Sequence, residues 1–163
     1  MSYPEKRTIV SVVSGALLMA VYVIYAYAKL GFTNMTDLKP WATTMLVFIG
    51  IGIVGMIIIQ IVFHILLSMG IALKEKIKDE SIDDKKIEST IASEMIEDEM
   101  DKLIELKANK IGYSFVGLGF VAGLITLAIG LPAAIMLNIL FLASLLGSIV
   151  EGLIQLHYYR KGV

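Results

Sequence analysis

The chain has 163 residues, 57% of them hydrophobic, with a mean hydropathy of +0.80 and a formal net charge of -1. These values exclude an ordinary soluble domain and suit an integral membrane protein, and the near-neutral balance gives no reason to expect nucleic acid or an anionic surface as the main partner. With no cysteine there is no disulfide, thiolate nucleophile or cysteine metal site.

The charges are concentrated. Of the 29 acidic and basic side chains, 20 lie between Lys74 and Lys110, which leaves four nearly uncharged segments: Thr8 to Ala28, Trp41 to Leu73, Ile111 to Leu131 and Pro132 to Tyr159. Each can supply the roughly 20 apolar residues that cross a bilayer core of about 30 Å as a helix. The pattern predicts an all-α polytopic membrane protein with four transmembrane helices, helices 2 and 3 being extended into a cytoplasmic helical hairpin. It divides the chain into a first transmembrane hairpin (1–73, spans near 8–28 and 42–66), a charged cytoplasmic segment (74–110) and a second hairpin (111–163, spans near 111–130 and 132–157).

The first apolar segment follows Lys6 and Arg7 and is too long for a signal-peptide core, so it reads as a retained span. Ser11 and Gly15 give it a small-residue face. Around the following connection Tyr22, Tyr25, Tyr27, Phe32 and Trp41 cluster, as amphipathic rings do at a membrane interface. The sequon Asn34-Met35-Thr36 lies in this short connection, close to the membrane, which argues against its use.

The second segment, Trp41 to Leu73, is 33 residues long, about 50 Å of helix where the hydrocarbon needs about 30 Å. If Trp41 marks one interface, the helix leaves the core near His64 and "LLSMGIALKEKIK" continues as an amphipathic extension. Gly50, Gly52 and Gly55 form "GIGIVG", formally a dinucleotide fingerprint. That motif carries meaning only on a strand-turn-helix, and here it sits inside an uncharged helix, so helix packing is the better reading.

A return arm from Asp84 to Lys110 is predicted as one helix about 40 Å long, opened by a capping box of Ser81 with Asp84. Ile87, Ile91, Met95, Met100, Leu103 and Ile104 recur mostly at helical spacing and form the expected partner-binding face. The acids Glu94, Glu97, Asp98, Glu99, Asp101 and Glu105 read as a solvated face, since they lack the glycine turn and alternating oxygens of a calcium loop. "NKIGY", Asn109 to Tyr113, is expected to hinge where this helix enters the membrane.

Spans three and four are joined by "AIGLPAAI", where Gly130 can end one helix and Pro132 start the next. Gly119 with Gly123, and Ala143 with Gly147, supply small-residue packing faces, and Asn138 is a polar group suited to bonding across helices. Gln60 and His64 lie one turn apart on span two, as do Glu151 and Gln155 on span four. Counting inward from Trp41 and from Pro132 gives His64 and Glu151 comparable depths, so they could meet as a polar pair, the other reading being that Glu151, nine residues from Arg160, reaches headgroup water. No GxSxG, HExxH or other nucleophile constellation is present, and no cofactor or metal is expected.

"DEMDKLIELKANKIGYSF", Asp98 to Phe115, resembles a pattern of uncharacterised small prokaryotic four-span membrane proteins, in which a DExDxLIxxK helix leads into the third span. Asp98, Glu99, Asp101, Leu103, Ile104 and Lys107 carry the resemblance, and Met100 stands where that pattern often has arginine. It implies a prokaryotic inner-membrane protein and no active site. Lys and Arg divide 12 to 2 in favour of the side holding both termini and the charged segment, which the positive-inside rule makes cytoplasmic. The expected function is non-enzymatic: an interaction or accessory subunit acting through its cytoplasmic amphipathic helices, with the lipid bilayer, a second copy in a homodimer or another protein as partner. The alternative is a small oligomeric transporter or channel using Glu151 and His64 as a gate or proton relay.

Overall fold

A computed structural model describes residues 2–29, 31, 35–78, 83–96 and 98–162. Among these the chain is all-α: α1 (Tyr3–Lys29), α2 (Leu38–Lys78), α3 (Asp84–Glu94), α4 (Glu99–Ala128) and α5 (Ala133–Lys161). Four stretches are helical, long and apolar enough to cross a membrane: α1, α2, the stretch containing α4, and α5. Phe32, Asn34, Ser81 and Glu97 lie outside the described residues, so the sequon and the Ser81 cap cannot be placed.

α5 is central to the fold: α4 and α1 both pack along it, and α2 lies against both α1 and α5. Small residues set these approaches. A Cβ on Gly119 would overlap Ala143, one on Gly123 would come within 2.9 Å of Met136, and one on Gly147 would stand 2.7 Å from the Gly112 carbonyl. Across the other seam, a Cβ on Gly152 would overlap Val12. Such backbone-close contacts are how helices associate where lipid removes the hydrophobic drive between them. Gly52 approaches Leu18 of α1, whereas Gly50 and Gly55 have nothing within 4 Å, so only one of the three glycines expected to pack does so here.

The half of the bundle that holds the α1–α2 and α4–α5 connections has an aromatic core. Tyr22, Ala26, Trp41, Met45, Phe48 and Ala134 are buried together, and the Tyr22 ring meets Phe48 and Phe141 edge-on at 5.2 and 4.5 Å. The Tyr22 hydroxyl donates to Asn138 Oδ1 at 2.7 Å, and Asn138 Nδ2 donates to the Ala134 carbonyl at 2.8 Å. The α4–α5 turn closes with Gly130 at φ +82°, Gly130 N–H on the Leu127 carbonyl and Leu131 N–H on that of Thr126. These are the two bonds of a Schellman motif, which needs a residue able to take a positive φ. Pro132 then caps α5.

The return arm is not one helix. α3 ends at Glu94 and α4 begins at Glu99, with Met95 in a turn and Asp98 extended at φ -93°, ψ 178°. The cause lies in the acids themselves. Asp98 Oδ1 accepts from Asp101 N at 2.7 Å, and Asp101 Oδ2 accepts from Asp98 N at 2.8 Å, a reciprocal capping box that starts a new helix. "NKIGY" lies inside α4 without a break, so the bend falls earlier than expected. α3 runs back along the end of α2, tied by Lys76 to Asp84 at 3.7 Å and by Ser68 Oγ to Met95 Sδ at 3.6 Å.

Candidate functional site

Polar side chains of α1, α4 and α5 gather at the end of the bundle that holds both termini. Along one face of α1, Pro4, Thr8, Ser11 and Gly15 recur at helical spacing; along α5, Ser148, Glu151, Gly152 and Gln155 do the same. Between them, with Asp101 and Glu105 of α4, they line a cavity of about 270 Å³ that also touches Arg7, Met56 and Tyr159. Thr8 Oγ1 lies 3.1 Å from Gln155 Oε1 and 2.9 Å from the Pro4 carbonyl, and Gln155 Nε2 donates to Glu151 Oε1 at 3.3 Å. Glu151 itself lies over Gly112 of α4, where any added Cβ would come within 3.0 Å of the Glu151 Cβ and 3.3 Å of its Oε2. The carboxylate has room because α4 has no side chain at this level.

The expected pair of His64 and Glu151 does not form. His64 Nε2 lies 2.7 Å from the Tyr3 hydroxyl, with Phe63 and Tyr3 rings around it, while Glu151 belongs to the α4 side of α5. Equal depth set the level of the two residues but not the direction each faces. Gln60, one turn before His64, donates through Nε2 to Ser11 Oγ at 3.0 Å, and its Oε1 is buried without a hydrogen-bond partner. Of the four polar residues singled out from the sequence, Glu151 and Gln155 stand together at the cavity, Gln60 is linked to it through Ser11, and His64 belongs to a separate contact with α1.

Sequence reasoning missed the α1 contribution. Tyr3, Thr8 and Ser11 all bond to other helices, and the buried Glu5 accepts from Arg160 Nε at 3.5 Å, joining the two ends of the chain. The signal is present as a polar stripe, Thr8 and Ser11 continued by Gly15, of which the small-residue reading takes only Ser11 and Gly15.

The expected partner-binding face is divided by the break before α4. Ile87 (6% exposed) is buried as α3 lies on α2, Ile91 and Met95 are half-buried, and Ile104 (3% exposed) belongs to the interior. Met100 and Leu103 remain open, at 54% and 42%. Among the described residues no group of three His, Asp or Glu side chains is placed to hold a metal ion. The chain matches no protein-family model, no curated protein and no solved structure.

Proposed function

We propose that the protein is a non-enzymatic interaction or accessory subunit of a prokaryotic inner membrane. Its termini, the end of α2, α3 and the start of α4 lie on the cytoplasmic side, where α2 and α3 form a helical hairpin. The reading rests on one observation above others. α2 is 41 residues long, about 60 Å by helical rise against a core of about 30 Å, and its surplus length is only partly covered: Ile71 is buried, whereas Leu66, Met69, Leu73 and Ile77 are exposed. Met100 and Leu103 also stay exposed, one turn apart on α4 and outside its long apolar run. Apolar side chains left open outside the spanning runs are built to be met. The resemblance of Asp98 to Phe115 to small four-span membrane proteins agrees with this placement.

The partner to test first is a second copy of the chain, in a two-fold arrangement that buries Met100 and Leu103. Because the protein has no cysteine, single cysteines report cleanly. Met100→Cys and Leu103→Cys in native membranes are expected to form disulfide-linked dimers, while Glu88→Cys on the exposed side of α3 is not. Dimers at none of these positions, or equally at all three, would remove the homodimer reading.

The transporter alternative draws support from the polar cavity alone. Within one chain a path onward would have to pass Tyr22, Phe48 and Phe141, and His64 stands apart from Glu151.

A further inference from the structure

The cavity at the terminal end of the bundle has a chemistry that the interaction role does not use. Its walls carry three carboxylates, those of Asp101, Glu105 and Glu151, against one guanidinium, that of Arg7. Thr8 and Ser148 direct their hydroxyls to the helix carbonyls of Pro4 and Leu145, at 2.9 and 2.8 Å. Gln155 uses its amide nitrogen on Glu151, and Gln60 uses its own on Ser11, a lining residue, while its Oε1 stays buried and unpaired. The carboxylates of Glu105 and Glu151 reach the cavity from two different helices, together with Asp101, whose Oδ2 is engaged in the α4 cap. Arg7 supplies the positive charge of the third wall. The side chains therefore leave the cavity net negative and rich in acceptors, with an apolar flank of Pro4, Val12 and Met56.

No three of the described acids or histidines are close enough to one another to hold a metal ion. A donor carried on a carbon chain fits better, because its N–H groups can donate hydrogen bonds to acceptors several ångströms apart. The position of the cavity narrows the source. Glu151 is level with Gly112, one residue after the apolar run of α4 begins at Ile111, so its carboxylate stands at the edge of the hydrocarbon. α1 and α4 each pack on α5, and the cavity is lined from all three helices at this level.

We infer that the cavity between α1, α4 and α5 is a binding site for the primary ammonium of a zwitterionic aminophospholipid head group, held by Glu151 and Glu105. The neighbouring phosphodiester lies on the Arg7 side, and the acyl chains follow the apolar flank of Pro4 and Val12 on α1 and Met56 on α2. This goes beyond the interaction role and does not depend on it, since the site is complete within one chain.

The test is native mass spectrometry of the delipidated full-length protein in detergent, given equal amounts of phosphatidylethanolamine and phosphatidylglycerol. The ethanolamine lipid is expected to bind with about tenfold preference, the scale of one or two hydrogen bonds to a charged group. Glu151→Gln and Glu105→Gln are each expected to bring that preference close to unity, and Glu99→Gln, outside the cavity, to leave it intact. Glu105 is exposed, so its variant still reports if Glu151→Gln fails to fold. Equal binding of the two lipids to the unaltered protein, or a preference that survives both cavity variants, would overturn the site. Displacement of the lipid by free phosphoethanolamine at similar concentration would overturn the lipid as the source and assign the ammonium to a soluble amine.

Discussion

Two residues in the aromatic half show how little polarity the interior carries and how completely it is used. Asn138 binds its own helix through Nδ2 and accepts from Tyr22 through Oδ1. Tyr22→Phe keeps the ring contacts with Phe48 and Phe141 and removes only the donor, leaving Oδ1 unpaired. The expected loss is about 0.6–2 kcal/mol, the range of interhelical hydrogen bonds in membranes, read as a lower unfolding temperature in detergent. Glycines give a sharper contrast because their surroundings differ while their chemistry does not. Gly119→Ala places a methyl group into Ala143 and should cost about 1–3 kcal/mol, as overpacking does. Gly50→Ala meets nothing within 4 Å and should be neutral or stabilising by up to about 1 kcal/mol, because alanine loses less backbone freedom in a helix. Equal effects of the two substitutions would mean that the α4–α5 seam is not set by Gly119.

At the scale of elements, the four apolar helices and the Gly130–Pro132 turn were legible because composition and local backbone chemistry decide them. The break before α4 was not, because an acid can serve either as solvated charge or as a cap, and spacing alone does not separate the two. Asp98 and Asp101 cap each other's backbone, whereas Glu99 pairs with Lys102 at the surface, at 2.7 Å. Asp98→Ala should therefore destabilise the first turn of α4 by about 0.5–2 kcal/mol, seen as faster amide hydrogen exchange from Glu99 to Lys102. Glu99→Ala should leave that exchange nearly unchanged, since exposed ion pairs contribute little. The apolar face was likewise legible as a set of residues but not as a surface. Ile87, Ile91 and Met95 recur at steps of four, as do Met100 and Ile104, and the five-residue step between the two sets falls where the helix is interrupted at Met95–Asp98.

For the whole molecule, the arrangement that matters is polar at one end and aromatic at the other. Depth along a span could be counted from Trp41 and Pro132, and it put Glu151 at the level where the cavity lies. Which neighbour it faces depends on the rotation of each helix about its axis, fixed by contacts such as Gly112 on Gly147, and no count along one chain supplies it. The ends of the chain meet at that same polar end, through Glu5 with Arg160 and Thr8 with Gln155, so α1 and α5 enter the membrane from one side. That shared side carries 12 of the 14 Lys and Arg residues, which makes it the side that the positive-inside rule expects to be cytoplasmic. A cysteine at Glu88 should then be protected from a membrane-impermeant thiol reagent in intact cells and labelled after lysis, whereas Thr36→Cys, in the α1–α2 connection, should be labelled in both. The two positions are separated by the full length of α2, so the readings are independent. Labelling of Glu88→Cys but not Thr36→Cys in intact cells would invert the topology, placing α3 and the lipid site on the outer face.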